Sequence, residues 1–238
     1  DYVVIAKAID DRGATATNSV MVAVTPISGD VAIVQNSENT EVAKLREYLF
    51  EMGLSSHVFV QAGLTYEALQ RFQLVIWDDA GDPPRNLTDN TVNALQRAWT
   101  NGIPLYFIGE NLASAGATLS DSAKQLWTQL VHFQPAASKV GNATVELLTG
   151  DFVHPILRGS FGIAENFAYS GRIDVPAGST PDAEVLARAG GADVLVAYPD
   201  QNVADFEDVR AVSQVFLVFD NGDLSSRSER KKIFQSSV

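Results

Sequence analysis

The sequence predicts an α/β fold: a doubly wound, mainly parallel sheet with antiparallel additions in its second half, preceded by a separate β-hairpin. Three observations predict it. Short apolar runs at 31–34, 57–60, 74–77 and 105–108 lack polar/apolar alternation, as expected of strands buried on both faces. The segments between them carry apolar residues at helical spacing. After about residue 134 this order stops, and short strand-like runs follow one another across tight turns.

The first 26 residues stand apart. Runs at 2–9 and 17–24 are rich in β-formers, and Asp10-Asp11-Arg12-Gly13-Ala14 between them is a turn-forming cluster. A lone hairpin cannot bury a core, so it must belong to a larger sandwich, pack on the next domain or pair with another chain. The stretch "AKAIDDRGATATNSVMVAVTP" resembles the last two strands of bacterial Ig-like or PKD-like domains, which are extracellular spacers. Asp10 and Asp11 carry the hard oxygens that calcium takes, or simply form the turn. Pro26-Ile27-Ser28-Gly29-Asp30 reads as a linker, giving a hairpin at 1–26, a linker at 27–30 and one α/β domain at 31–238. The strand pattern at Asp1-Tyr2-Val3 and the abrupt end at Ser236-Ser237-Val238 suggest a piece of a longer polypeptide.

From residue 31 the elements alternate. Val42, Leu45, Leu49 and Met52 form an apolar stripe on a helix over 39–52 that Gly53 ends. Thr65 caps a short helix over 65–72. A helix over 88–100 shows Val92, Leu95 and Trp99 on one face, and another over 120–132 is capped by Ser120. Right-handed crossovers then give a doubly wound, flavodoxin-like layout. In the second half, 144–148, 171–175, 183–189 and 194–198 read as strands, with Gly190-Gly191-Ala192-Asp193 as a hairpin turn. The apolar run 215–219 reads as a strand returning to the central sheet. Ser226-Arg227-Ser228-Glu229 reads as a capping box opening the last helix.

Composition narrows the function. A net charge of −12 and a pI near 4.6 argue against a nucleic-acid partner; the basic run at 227–232 is interrupted by Glu229 and reads as a solvated helix face. With no cysteine there is no disulfide, thiolate metal site or Cys nucleophile. No apolar run approaches the ~20 residues of a membrane span, and no signal peptide is visible.

Ligands of open parallel sheets bind beyond the carboxyl ends of the strands. That selects 35–39, 78–82, 109–111 and 220–223. Asp78, Asp79, Glu110, Asn111 and Asp220 are therefore the candidate ligand-binding residues. Asp78 and Asp79, with Glu110 and Asp220, are candidate ligands for Mg²⁺ or Ca²⁺, although acids after strands also cap the helices that follow. Of the histidines, His57 opens a strand and His132 ends a helix, whereas His154 sits in Asp151-Phe152-Val153-His154-Pro155. His154 is a candidate general base if it lies near the turn at 109–111, and otherwise fixes a loop. No G-x-S-x-G elbow occurs, which argues against a serine triad.

The order of strand 31–34, "LVIWDD", "NGIPLYFIGENLASAG", "HPILRG" and "VFLVFDNGDLSSRSERKKIFQSSV" resembles the class I glutamine amidotransferase-like superfamily, near its ThuA-like branch, over residues 31–238. In glutamine-hydrolysing members a cysteine occupies the middle of the turn after the fourth strand. Matching Gly109-Glu110-Asn111-Leu112-Ala113 to that pattern puts Asn111 at the nucleophile position and replaces the closing glycine by Ala113. A carboxamide has no deprotonable nucleophile of useful pKa, and 194–223, where the partner histidine is expected, has no histidine. The resemblance thus implies loss of glutamine hydrolysis, and a tie to carbohydrate metabolism by analogy only. Phe161, Phe167, Tyr169 and Tyr198 either stack on sugars, with Glu165 and Asn166 beside them, or fill the core. The sequence reads as a non-catalytic binding or scaffolding module of a secreted or cell-surface bacterial protein, with a glycan or neighbouring domains as partners. The alternative is a hydrolase for carbohydrate-related material using Glu110, His154 and Asp78 or Asp79.

Overall fold

The structure, a computed structural model, describes residues 2–9, 15–22, 29–36, 39–80, 87–148, 154–199, 209–219 and 225–238. β1 (Tyr2–Ile9) and β2 (Thr15–Val22) form an antiparallel sheet of their own, with Tyr2 opposite Val22 and Ile9 opposite Thr15. The second strand starts two residues earlier than its apolar pattern predicts. Asp10, Asp11 and the linker residues Ile27 and Ser28 lie outside the described residues.

The larger unit runs β3 (Val31–Gln35), α1 (Thr40–Glu51), β4 (Ser56–Val60), α2 (Tyr66–Leu69), β5 (Leu74–Asp78), α3 (Asp89–Thr100), β6 (Leu105–Ile108), α4 (Leu112–Ala115) and α5 (Asp121–Val131). It continues with β7 (Ala136–Leu147), β8 (Arg158–Gly159), β9 (Gly162–Ile163), β10 (Phe167–Pro176), β11 (Glu184–Ala189), β12 (Ala192–Pro199), β13 (Val209–Gln214) and α6 (Arg227–Ser237). Nine strands make one sheet in the order β10-β7-β11-β12-β13-β6-β5-β3-β4, while β8 and β9 pair separately. Its parallel part, β4-β3-β5-β6-β13, is the 2-1-3-4-5 order of a flavodoxin-like sheet, whose switch point falls between β3 and β5.

Both faces of this sheet are covered, which explains the unbroken apolar runs. Neighbouring residues of β6 point opposite ways. Tyr106 stacks on Phe234 of α6 at 5.7 Å, and Phe107 meets Trp127 of α5 edge-on at 5.5 Å. No helix among the described residues is long and apolar enough to cross a membrane.

The second half departs from expectation in three places. β7 and β10 are longer than their apolar cores suggest, because they pair with each other along most of their length. Residues 215–219 are not a strand. The strand that joins β6 is the preceding segment, Val209–Gln214, and it stops at Gln214 opposite Ile108. Residues 215–219 are buried; Val215 N still donates to the Val194 carbonyl at 3.0 Å, but further on the amides turn to side chains, Leu217 N to the Tyr169 hydroxyl, and Val218 N and Phe219 N to Glu41 at 2.6 and 2.7 Å. Finally, the capping box does not form. The Ser226 hydroxyl accepts from Arg230 Nε at 3.0 Å, and the Glu229 carboxylate accepts from the Glu165 amide at 2.8 Å.

Candidate functional site

The switch point lies between β3 and β5, and polar side chains bridge it. Asn39 caps α1 by accepting from Val42 N at 2.9 Å, and its amide donates to Asp78 Oδ2 at 2.8 Å. Asp78 Oδ1 accepts from Ala80 N at 3.2 Å, while Gln61 Nε2 reaches the Asp78 carbonyl at 3.3 Å. Asp78 is wholly buried. Burial raises its pKa to about 6, against the lowering effect of the Asn39 and Ala80 bonds. Glu41, one turn into α1, is also buried. Burial and the Asp78 charge push its pKa well up, opposed by the Phe219 and Val218 amides and by Arg230. Asp78 ties α1 to the end of β5, and Glu41 ties it to the segment that follows β13.

The turn after β6 is built by close approach. Gly109 sits at φ 155° against Asp79, and a Cβ there would lie 2.6 Å from Asp79 Cβ and 2.9 Å from its carbonyl carbon. Only glycine fits such contact at that backbone angle. Asn111 follows at φ −134°, ψ 11°. A nucleophile elbow holds its reactive residue in a sharp, strained turn; Asn111 is not in the left-handed region.

A long arm covers this turn. Ile108 is in register with Gln214, Gln214 with Leu195, Leu195 with Ala187 and Ala187 with Leu147. β7 runs antiparallel to β11 and therefore antiparallel to β6, so its residues before Leu147 rise beyond the carboxyl edge, carrying β10 with them. From that arm Lys139 donates to Asn111 Oδ1. Asp174, directly opposite Lys139, is fully buried. It accepts from Ser114 N at 2.8 Å and Ser114 Oγ at 3.2 Å, with Lys139 Nζ 3.5 Å away. Tyr169, also buried, donates its hydroxyl to Glu110 Oε1 at 2.5 Å and accepts from Leu217 N at 3.3 Å. A bulge between Tyr169 and Arg172 makes room: a Cβ on Gly171 would lie 2.5 Å from Glu110 Oε1. Arg230 lies 5.2 Å from the Tyr169 ring and donates to the Leu217 carbonyl at 2.7 Å.

The turn thus faces a cation, an anion and a phenol supplied by the protein itself. The amide of Ser114, in the first turn of α4, is bonded to the Asp174 carboxylate. These bonds hold the shape of the turn.

Asp78, Asp79, Glu110 and Asn111 all lie along the carboxyl edge, as the sequence predicts; Asp220 lies outside the described residues. His154 does not join them. Its Nδ1 accepts from the Ile156 amide at 3.2 Å and its carbonyl from the Leu157 amide at 2.8 Å. Burial lowers its pKa, and the charge acting against that is Glu184, at the start of β11. Among the described residues no three His, Asp or Glu side chains are grouped to hold a metal, and Asp78 and Glu110 are engaged in the bonds above. Of the candidate sugar-stacking rings, Phe167 and Tyr169 are buried and Tyr198 stacks on His132 at 4.3 Å; Phe161 is exposed. Sequence reasoning missed Glu41, Lys139, Asp174 and Arg230. The one local signal was Asp174, an acid on the inward face of an apolar strand.

No family model matches the sequence, and neither does any curated protein. Solved structures do match the fold. A GMP synthase subunit from Thermoplasma acidophilum is similar with a TM-score of 0.54 at 12% identity, covering 87% of this chain and 93% of that one. A ThuA-like protein from Bacteroides uniformis gives 0.53 at 12% identity, covering 90% and 92%. The glutaminase domain of a Trypanosoma brucei CTPS, solved with bound acivicin, gives 0.51 at 12% identity, covering 87% and 91%. At these identities the likeness is one of fold: a glutamine amidotransferase-type, ThuA-like α/β sheet.

Proposed function

We propose that residues 31–238 form a non-catalytic binding or scaffolding module on an amidotransferase-type fold. The observation that carries this reading is the occupied turn: Asn111 is bonded by Lys139, Ser114 by Asp174 and Glu110 by Tyr169. The preceding hairpin fits the end of an Ig-like or PKD-like spacer, and with it a secreted or surface-attached parent whose neighbouring domains are the first partners to consider. A glycan is the less supported ligand, since only Phe161 of the four candidate rings is exposed. The hydrolase reading has one feature in its favour, the raised pKa of Asp78, because perturbed acids gather at active sites. Against it, His154 is engaged in its own loop.

The test is ammonia release from glutamine by the purified chain and by an Asn111→Cys variant. Neither should exceed the buffer rate, because a thiol placed there meets Lys139 rather than a histidine base, His154 being held in its own loop. Turnover by the unmodified chain would sink the proposal outright. Turnover by the cysteine variant would show that the turn retains a working geometry.

A further inference from the structure

Beside the occupied turn lies a cavity of about 270 Å³ that none of the bonds above fills. It opens between α4 with its following 3₁₀ turn (Gly116–Thr118), α5, and the chain entering β7. We propose that it binds a small aromatic monocarboxylate, ring inward and carboxylate at Lys124. This inference does not depend on the turn being non-catalytic.

The floor is apolar and held in place. Trp127 donates its indole N–H to the Leu112 carbonyl at 3.0 Å and packs edge-on against Trp77 and Phe107 at 5.6 and 5.5 Å. Gly116 lets the 3₁₀ turn approach that indole, since a Cβ there would lie 3.1 Å from Trp127 Cδ1. The far wall follows from the end of α5. His132 takes the left-handed conformation at φ 56° and is pinned by Thr180 Oγ1 at 3.0 Å and by stacking on Tyr198. The chain reverses there and presents Phe133 and Pro135 to the cavity. These fixed groups make a preformed recess, the kind of site in which little ordering cost attends binding.

Charge selects the ligand class. Among the described residues, Lys124 is the only charged one lining the cavity, with Ser114 and Thr128 also on its wall. Lys124 is half-exposed, and its pairing with the solvent-exposed Asp121 at 3.6 Å is of the exposed kind that a ligand carboxylate can displace. An apolar recess with a single cation suits a flat ring carrying one negative group. The volume sits just below the usual range for drug-sized ligands, which sets the ligand at about ten non-hydrogen atoms. It is too small for a peptide helix, about 10 Å across with its side chains.

The probe is 3-phenylpropionate, titrated into the ¹⁵N-labelled chain while the indole N–H signals of the three tryptophans are followed. The Trp127 signal, assigned by its absence in Trp127→Phe, should shift saturably, and those of Trp77 and Trp99 should move less. Ala117→Trp, at an exposed position on the lining, should abolish the saturable shift by filling the mouth. Lys124→Gln should weaken binding about two- to fivefold, as for an exposed ion pair. The uncharged analogue 3-phenylpropanol should be weaker by a similar factor. No saturation by 3-phenylpropionate overturns the proposal, as does unchanged binding in Ala117→Trp. Equal affinity for the alcohol, or an unaffected Lys124→Gln, overturns the carboxylate assignment; these comparisons stand even if the tryptophan variant fails to fold.

Discussion

Replacing Asp174 with alanine should destabilise the α/β unit by about 2–3 kcal/mol, and replacing it with asparagine by about 1 kcal/mol. The figure is built from its contacts. Asp174 is fully buried and accepts from Ser114 N at 2.8 Å and Ser114 Oγ at 3.2 Å. A hydrogen bond to a charged acceptor contributes about 1.5–3 kcal/mol, but the two Ser114 donors also reach the Asn111 carbonyl at 3.1 Å, so neither is left wholly unpaired. The Lys139 partner is 40% exposed at 3.5 Å, which limits that pair to at most about 1 kcal/mol. Removal also relieves the cost of burying a carboxylate, which keeps the sum at the lower end. Asparagine keeps one acceptor for the Ser114 amide and offers its NH₂ to the hydroxyl. Urea unfolding read by circular dichroism measures both variants; the alanine should also lower Tm by about 4–12 °C for a unit of this size. A loss below about 1 kcal/mol for alanine, or equal losses for the two variants, would refute the view that this carboxylate holds the turn shut.

Gly109→Ala should cost about 3 kcal/mol or more, because its Cβ meets backbone as well as side-chain atoms of Asp79 at a backbone angle alanine avoids; a thermal melt with unchanged Tm would contradict this. Glu41→Ala leaves the buried amides of Val218 and Phe219 without their carboxylate acceptor, at about 1–3 kcal/mol each, and amide hydrogen exchange at 218 and 219 should accelerate first. Burial lowers the pKa of His132 to about 4 from 6.5, so the unfolded chain binds the extra proton between those values. Stability from this group is complete above pH 6.5 and is lost as pH falls toward 4, by about 3 kcal/mol at the lower limit. His132→Gln should remove that loss, so parallel pH profiles of the two proteins would count against it. Asp78 has the opposite sign: its raised pKa means stability falls as pH rises from 3.8 to about 6, which flattens the wild-type profile across the same window.

The parallel half of the fold was legible because each cue is local. Apolar runs of strand length, Gly53 and Gly102 after helices, and caps such as Thr65 and Ser120, whose hydroxyls accept from Ala68 N and Ala123 N, all act within a few residues. The carboxyl-edge placement of Asp78, Asp79, Glu110 and Asn111 follows from the same cues. What could not be read depends on distant partners. Residues 215–219 are as apolar as any strand, but the amides of Leu217, Val218 and Phe219 go to Tyr169 and to Glu41 on the first helix instead of a ladder. Ser226 and Glu229 have the spacing of a capping box, but Arg230 and the Glu165 amide compete for them. Lys139 and Asp174 look like surface charges until the register of β7 against β10 sets them face to face above α4.

The arm that closes over the β6 turn has an evolutionary corollary. On the proposed non-catalytic reading, converting position 111 to a nucleophile gains nothing by itself while Lys139 and Asp174 stay. Removing either of those first weakens the domain with no compensating activity. On that reading the path to a working catalyst descends before it climbs, and selection for a sturdy fold alone keeps the chain where it stands.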